Sequence, residues 1–197
     1  MLSTNTFGKR NNYKEFVAQL LKVMTAECED FPKNLRQYQK SLRELAESVA
    51  DTNAPSPEEV EEAIVQQIGC WLLNAGFLGL KACYDHHANP SAPTFLEEDP
   101  EVYLQEDAVK GLPDYLKGKR VLSRFRAALP QEQQEKYVHI IEYICHLETV
   151  GPKLAHYWGY MLGNGLYSHI IPGFREDQRL TDAYRHMLEE YLEIRIL

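Results

Sequence analysis

Apolar residues recur at three- and four-residue spacing along most of the chain, while the two-residue alternation of a half-buried strand is nearly absent. The pattern predicts an all-α fold with about six main helices. The first covers Asn12 to Cys28, with Phe16, Leu20, Val23 and Met24 along one side. Pro32 opens the second, which runs to Ala50 on Leu35, Leu42, Leu45 and Val49. A loop from Thr52 to Pro55 leads to the best-marked start in the chain. Ser56-Pro57-Glu58-Glu59 offers an N-cap serine, a proline at the first helical position and a glutamate at the third. This third helix is expected to reach Tyr84. Residues 85–111 then form a polar, proline-bearing region with room for one short helix. The fourth helix begins near Pro113 and stops before Pro130, which opens a fifth over Gln131 to Thr149. Gly151-Pro152 is expected to break the chain ahead of a continuation from Lys153 to Ile171. Pro172-Gly173 ends that continuation, and a last helix runs from Asp177 to the C-terminus.

Two segments stand apart. The helix over 57–84 is apolar nearly all round, through Trp71, Leu72, Leu73, Phe77, Leu78 and Leu80, as a helix buried in a bundle should be. The segment over 153–171 is similar. Ala75 and Gly79 are four residues apart, as are Gly159 and Gly163, and small residues at that spacing let two backbones approach closely. The expectation is one helical domain over residues 1–197, with a flexible stretch at 1–11 and these two glycine-containing apolar helices at its centre.

Composition narrows the function. A chain of 197 residues can bury a core without staples. Its 44% apolar and 25% charged content excludes the disordered class. The net charge of −8 argues against nucleic acid, whose phosphates call for a positive surface, and suits a basic partner instead. Cys28, Cys70, Cys83 and Cys145 form no Cys-x-x-Cys pair, so they read as reduced thiols that pack as small hydrophobes. No apolar run follows the early charges, so no secretory leader is expected. The longest apolar stretch, Ile68 to Leu80, falls short of the roughly 20 residues a bilayer needs. The expected compartment is the cytoplasm.

Candidate chemistry is sparse. His139, Glu142 and His146 share one helix face at the spacing of metal ligands, since imidazole and carboxylate both coordinate zinc or iron. With Tyr137, Ile141, Ile144 and Cys145 opposite, the trio is expected to point to water, and no metal is assigned. Glu148 falls within that apolar arc and would need a cation such as Lys153 or a protonated His156, unless it reaches water at a helix end. Lys153, His156, Tyr160, Asn164 and Tyr167 form a polar and aromatic stripe, and Gln67, Asn74, Lys81 and Asp85 form a narrower one on the third helix. Facing one another, the stripes would enclose either a structural hydrogen-bond network or a ligand pocket. The pocket would be lined by Glu148, His156, Tyr160, Asn164, Tyr167, Asn74 and Lys81. Asp85-His86-His87 reads as the start of the loop. Lys117, Lys119, Arg120, Arg124 and Arg126 make the fourth helix basic, balanced by the acids from Glu97 to Asp107. There is no His-Asp dyad, no Glu-x-x-His of a ferritin-like di-iron site and no phosphate-binding loop. Ala155 to Asn164 resembles the glycine-bearing distal helix of haem oxygenases over ten residues. That family carries its haem-ligating histidine in the first helix, and here no histidine precedes His86, so the resemblance is set aside.

The leading expectation is a non-enzymatic helical protein-binding or regulatory protein, of the kind of an immunity protein, antitoxin or adaptor. It would need no cofactor and would meet a basic protein through an acidic surface. The alternative is a small-ligand-, metal- or haem-binding enzyme or sensor with a buried polar site between the helices 57–84 and 153–171. A homo-oligomer is the third reading.

Overall fold

The computed structural model describes residues 13–50, 52–89 and 109–170, together with Asp182, Arg185, His186 and Glu189. Those residues are all-α, without a strand among them. They form five α-helices rather than six: α1 (Tyr13–Glu27), α2 (Phe31–Ser48), α3 (Pro57–Ala88), α4 (Pro113–Ala128) and α5 (Val138–Ile170), with a 3-10 turn over Gln131–Gln133. The expected last helix, the flexible 1–11 stretch and most of the 85–111 region lie outside the described residues, although the four described residues past 181 are helical.

The start of α3 follows directly from its sequence. The Ser56 side chain accepts from the Glu59 amide at 3.3 Å, and a Glu59 carboxylate oxygen accepts from the Ser56 amide at 2.8 Å, which completes a capping box. The far end differs from expectation. α3 runs on to Ala88, so Asp85, His86 and His87 occupy its last turn and not a loop. Two histidines thus fall in the last turn, at the negative end of the helix dipole. At 32 residues α3 is long and apolar enough to cross a bilayer by length and composition alone, which the shorter Ile68–Leu80 count did not register. Most of that apolar stretch is buried inside the protein.

A second difference concerns α5. Gly151-Pro152 does not break it: the helix passes straight through, with both residues buried. A proline inside a helix removes one amide donor, and burial on both sides holds the turn in place regardless. The start of this helix also shifts, because Gln131–Gln133 form a 3-10 turn and α-helix begins only at Val138.

α3 touches each of the other four helices. Its closest neighbour is α5, and the reason is the absence of side chains. A methyl group on Gly79 would overlap the His156 carbonyl, and one on Gly159 would overlap the Gly76 carbonyl. α1 lies over both helices, with Leu20 beside Leu72 and Gly151, and Phe16 edge-on to Trp158 at 6.1 Å. α4 packs on α3 through Tyr115 against Trp71 and Gly118 against Ala63. α2 packs on α5, where Tyr38 stacks on Tyr143 with centroids 4.1 Å apart and Phe31 extends the stack. The core joins Leu20, Met24, Phe31, Leu45, Ile68, Leu72, Ile140, Leu147 and Leu154, all at 1% exposure or less.

Candidate functional site

The α3–α5 seam brings together part of the predicted polar stripe. His156, Tyr160 and Asn164 are each at most 2% exposed. Asn164 Oδ1 accepts from the Cys83 thiol at 3.3 Å and from His87 Nε2 at 3.1 Å, so one amide ties the end of α3 to α5. Its Nδ2 finds no hydrogen-bond partner among the described residues. Tyr167 is half-buried, with its ring 5.5 Å from that of Tyr84. Glu148 and Asn74 are half-buried. Lys81 does not join the group: it lies on the surface, 69% exposed, and pairs with Asp85 one turn further on. Gln67 is buried under Gly118 of α4 and so faces away from α5.

This cluster is chemically quiet. Desolvation lowers the His156 pKa to about 3, so its imidazole stays neutral at any ordinary pH. Burial pushes the Cys83 thiol up to about 12, which removes the thiolate that a cysteine nucleophile requires. Cys83, His87 and Asn164 therefore share the residue types of a cysteine-hydrolase triad without its reactivity. Direct backbone contact at Gly79 and Gly159 leaves no space between α3 and α5 at those two positions.

The trio His139, Glu142 and His146 is divided. Glu142 points to water, 63% exposed, and accepts from His139 Nδ1 at 3.1 Å. Both histidines turn toward α2 instead of solvent. Gln37 Nε2 lies 3.1 Å from His139 Nε2, and Asn34 Nδ2 lies 3.0 Å from His146 Nδ1. His146 also meets Phe31 edge-on, and burial lowers its pKa. No group of three or more metal-ligating side chains is assembled among the described residues. The buried arc of α5 is Ile140, Tyr143, Leu147 and Val150, while Ile141 is 40% exposed and Cys145 is exposed. Glu148 thus borders the outer arc and not the core.

One cleft lies away from this seam. At the corner where α2 turns into α3, a cleft of about 710 Å³ opens between the two helices and the 52–56 connection. Leu42 and Ala46 on one face of α2, with Val49 just past its end, form its floor with Ala54 and Pro55. Glu47, Glu58 and Glu61 stand round it, with Arg43 on one side. Glu61 lies close enough to the stacked tyrosines to add to the burial that raises the pKa of Tyr38 and Tyr143. Periodicity along the chain does not locate this cleft. Its only trace in the sequence is the capping box, which fixes where α3 starts and hence where the corner falls.

No protein-family model, curated protein or solved structure matches this chain.

Proposed function

We propose that this chain is a non-enzymatic helical protein-binding module, with α3 and α5 as its central pair and the α2–α3 corner cleft as its docking site. The observation that carries the reading is the cleft itself: an apolar floor within a rim of Glu47, Glu58 and Glu61. A floor of that kind accepts an apolar anchor, and a carboxylate rim selects for lysine or arginine beside it. The partner is therefore a protein segment carrying an apolar residue flanked by basic ones. The close backbone contact of α3 with α5 at Gly79 and Gly159, and the unreactive Cys83 and His156, support a structural role for the buried polar cluster. Four free thiols suit a reducing compartment, and the cytoplasm is the place we assign.

The test is a fluorescence-anisotropy titration of the full chain with short labelled peptides that bear one leucine among lysines, set against charge-reversed peptides. Saturable binding of the basic peptides should fall about tenfold in Glu58→Lys with Glu61→Lys, as expected when rim charges are inverted. Ala46→Trp, which fills the cleft, should abolish it. Equal binding of basic and acidic peptides, or binding indifferent to Ala46→Trp, would overturn the proposal.

A further inference from the structure

The outward face of α2 carries a second, oppositely charged feature. Where α2 meets the start of α5, a trough of about 490 Å³ is lined by Lys33, Arg36, Gln37, Lys40, Ser41, Glu44, Lys136 and His139. Four full positive charges there stand against one carboxylate, within a protein of net charge −8. Glu44 shows what the cations prefer. One of its oxygens lies 2.7 Å from Lys136 Nζ and the other 3.8 Å from Lys40 Nζ, and the Lys136 hydrogen bond holds the carboxyl below its usual range. Lys33 and Arg36 make no ion pair among the described residues, so two of the trough's four cations are uncommitted.

The basic face of α4 offers a contrast. Arg120 bonds the Leu116 carbonyl, Arg124 reaches the Asn53 carbonyl, and Arg126 lies over the Tyr137 ring at 5.7 Å. Those guanidinium groups are committed within the chain. Arg36 is not, and its planar fork can hold two oxygens of one tetrahedral anion. Gln37, Ser41 and His139 add further polar groups to the same walls.

We propose that this trough binds a small, multiply charged phosphate compound, with Arg36, Lys33 and Lys40 on the phosphate oxygens and Lys136 shared with Glu44. Size and charge select this class. A trough of this volume suits a small molecule, and the negative field of the whole protein opposes a long polyanion more than a compact one. Glu44 acts as an internal competitor that a phosphate must displace. Removing its charge therefore tightens binding.

The experiment is calorimetric titration of the full chain with pyrophosphate at low ionic strength, with circular dichroism confirming that each exposed-site variant folds. Saturable binding is expected at one site. Arg36→Gln and Lys40→Gln should each weaken it at least about fivefold, the loss of one charge-assisted contact, and Glu44→Gln should strengthen it about threefold or more. Lys117→Gln on α4 should leave it unchanged. Absence of saturable binding would overturn the proposal, as would equal weakening by Lys117→Gln and Arg36→Gln, which would mark diffuse surface charge. A duplex oligonucleotide that bound more tightly than pyrophosphate would replace it with a nucleic-acid surface.

Discussion

At the scale of single residues, the side chains most deeply placed are those least able to react, and the pH dependence of folding should record it. The folded pKa of His156 is about 3, against an ordinary value of 6.5. Below pH 6.5 the unfolded chain takes a proton that the folded one refuses, so stability is complete above 6.5 and falls as pH drops toward 3. Each pH unit costs about 1.4 kcal/mol, and by pH 5 the loss approaches about 2 kcal/mol. His146, whose pKa is also lowered by burial, adds to the same slope. Urea titrations from pH 7 to pH 4 should show this decline, and His156→Gln should flatten much of it. Parallel acid limbs in wild type and variant would remove His156 as the cause. Asn164 carries a different load. Asn164→Ala removes the acceptor that the buried Cys83 thiol and the His87 ring share, and should cost about 1 to 3 kcal/mol. Urea midpoints at pH 7 measure that directly.

Helices raise the question of what lets two of them touch. At Gly79 and Gly159 the neighbouring backbone stands where a Cβ would be, and backbone cannot rotate aside as a side chain can. Gly79→Ala and Gly159→Ala should each destabilise by about 3 kcal/mol, at the upper end of overpacking costs. Gly165, on the same helix as Gly159, has open space out to 4 Å around the point a methyl group would occupy, and alanine there should stabilise by about 0.5 to 1 kcal/mol through helix propensity. Thermal melts of the three variants test both signs, and a Gly79→Ala protein as stable as Gly165→Ala would refute the contact. The elements themselves were partly legible. The Ser56 capping box marked the start of α3, and the periodicity marked an all-α chain. The faces of α5 were not legible. That helix has two apolar arcs, and a wheel does not say which one packs; the buried arc is Ile140, Tyr143 and Leu147, and Ile141 belongs to the other. Pro152 misled for a related reason, because helix propensity is local and the packing that overrides it is not. His156, Tyr160 and Asn164 could be picked from sequence because their spacing lies within one helix. The corner cleft could not, since it depends on the angle between two helices. Nor could the basic trough, where Gln37 meets His139 across 102 residues of chain.

For the molecule as a whole, the four thiols form a built-in gauge of how it opens. Cys28, Cys70 and Cys83 are at most 7% exposed, and Cys145 lies on the outer arc of α5. Burial pushes Cys28 up to about 11 and Cys83 to about 12, so a thiol reagent meets neither access nor thiolate at those sites. Cys145 is raised too, by desolvation first and by the Glu148 charge second. A chromogenic disulfide reagent at pH 8 should therefore modify one equivalent in the native protein, faster as pH rises, and all four thiols in urea. The three slow thiols are spread over two elements: Cys28 just past the end of α1, and Cys70 and Cys83 thirteen residues apart in α3. If the bundle unfolds as one cooperative unit, all three react at a common rate that follows global stability. Mass spectrometry of partly modified protein can resolve the sites. Should Cys83 react ahead of Cys28 and Cys70, the last turns of α3 would be opening away from α5 on their own, and the Asn164 link would be a local latch independent of the rest of the fold.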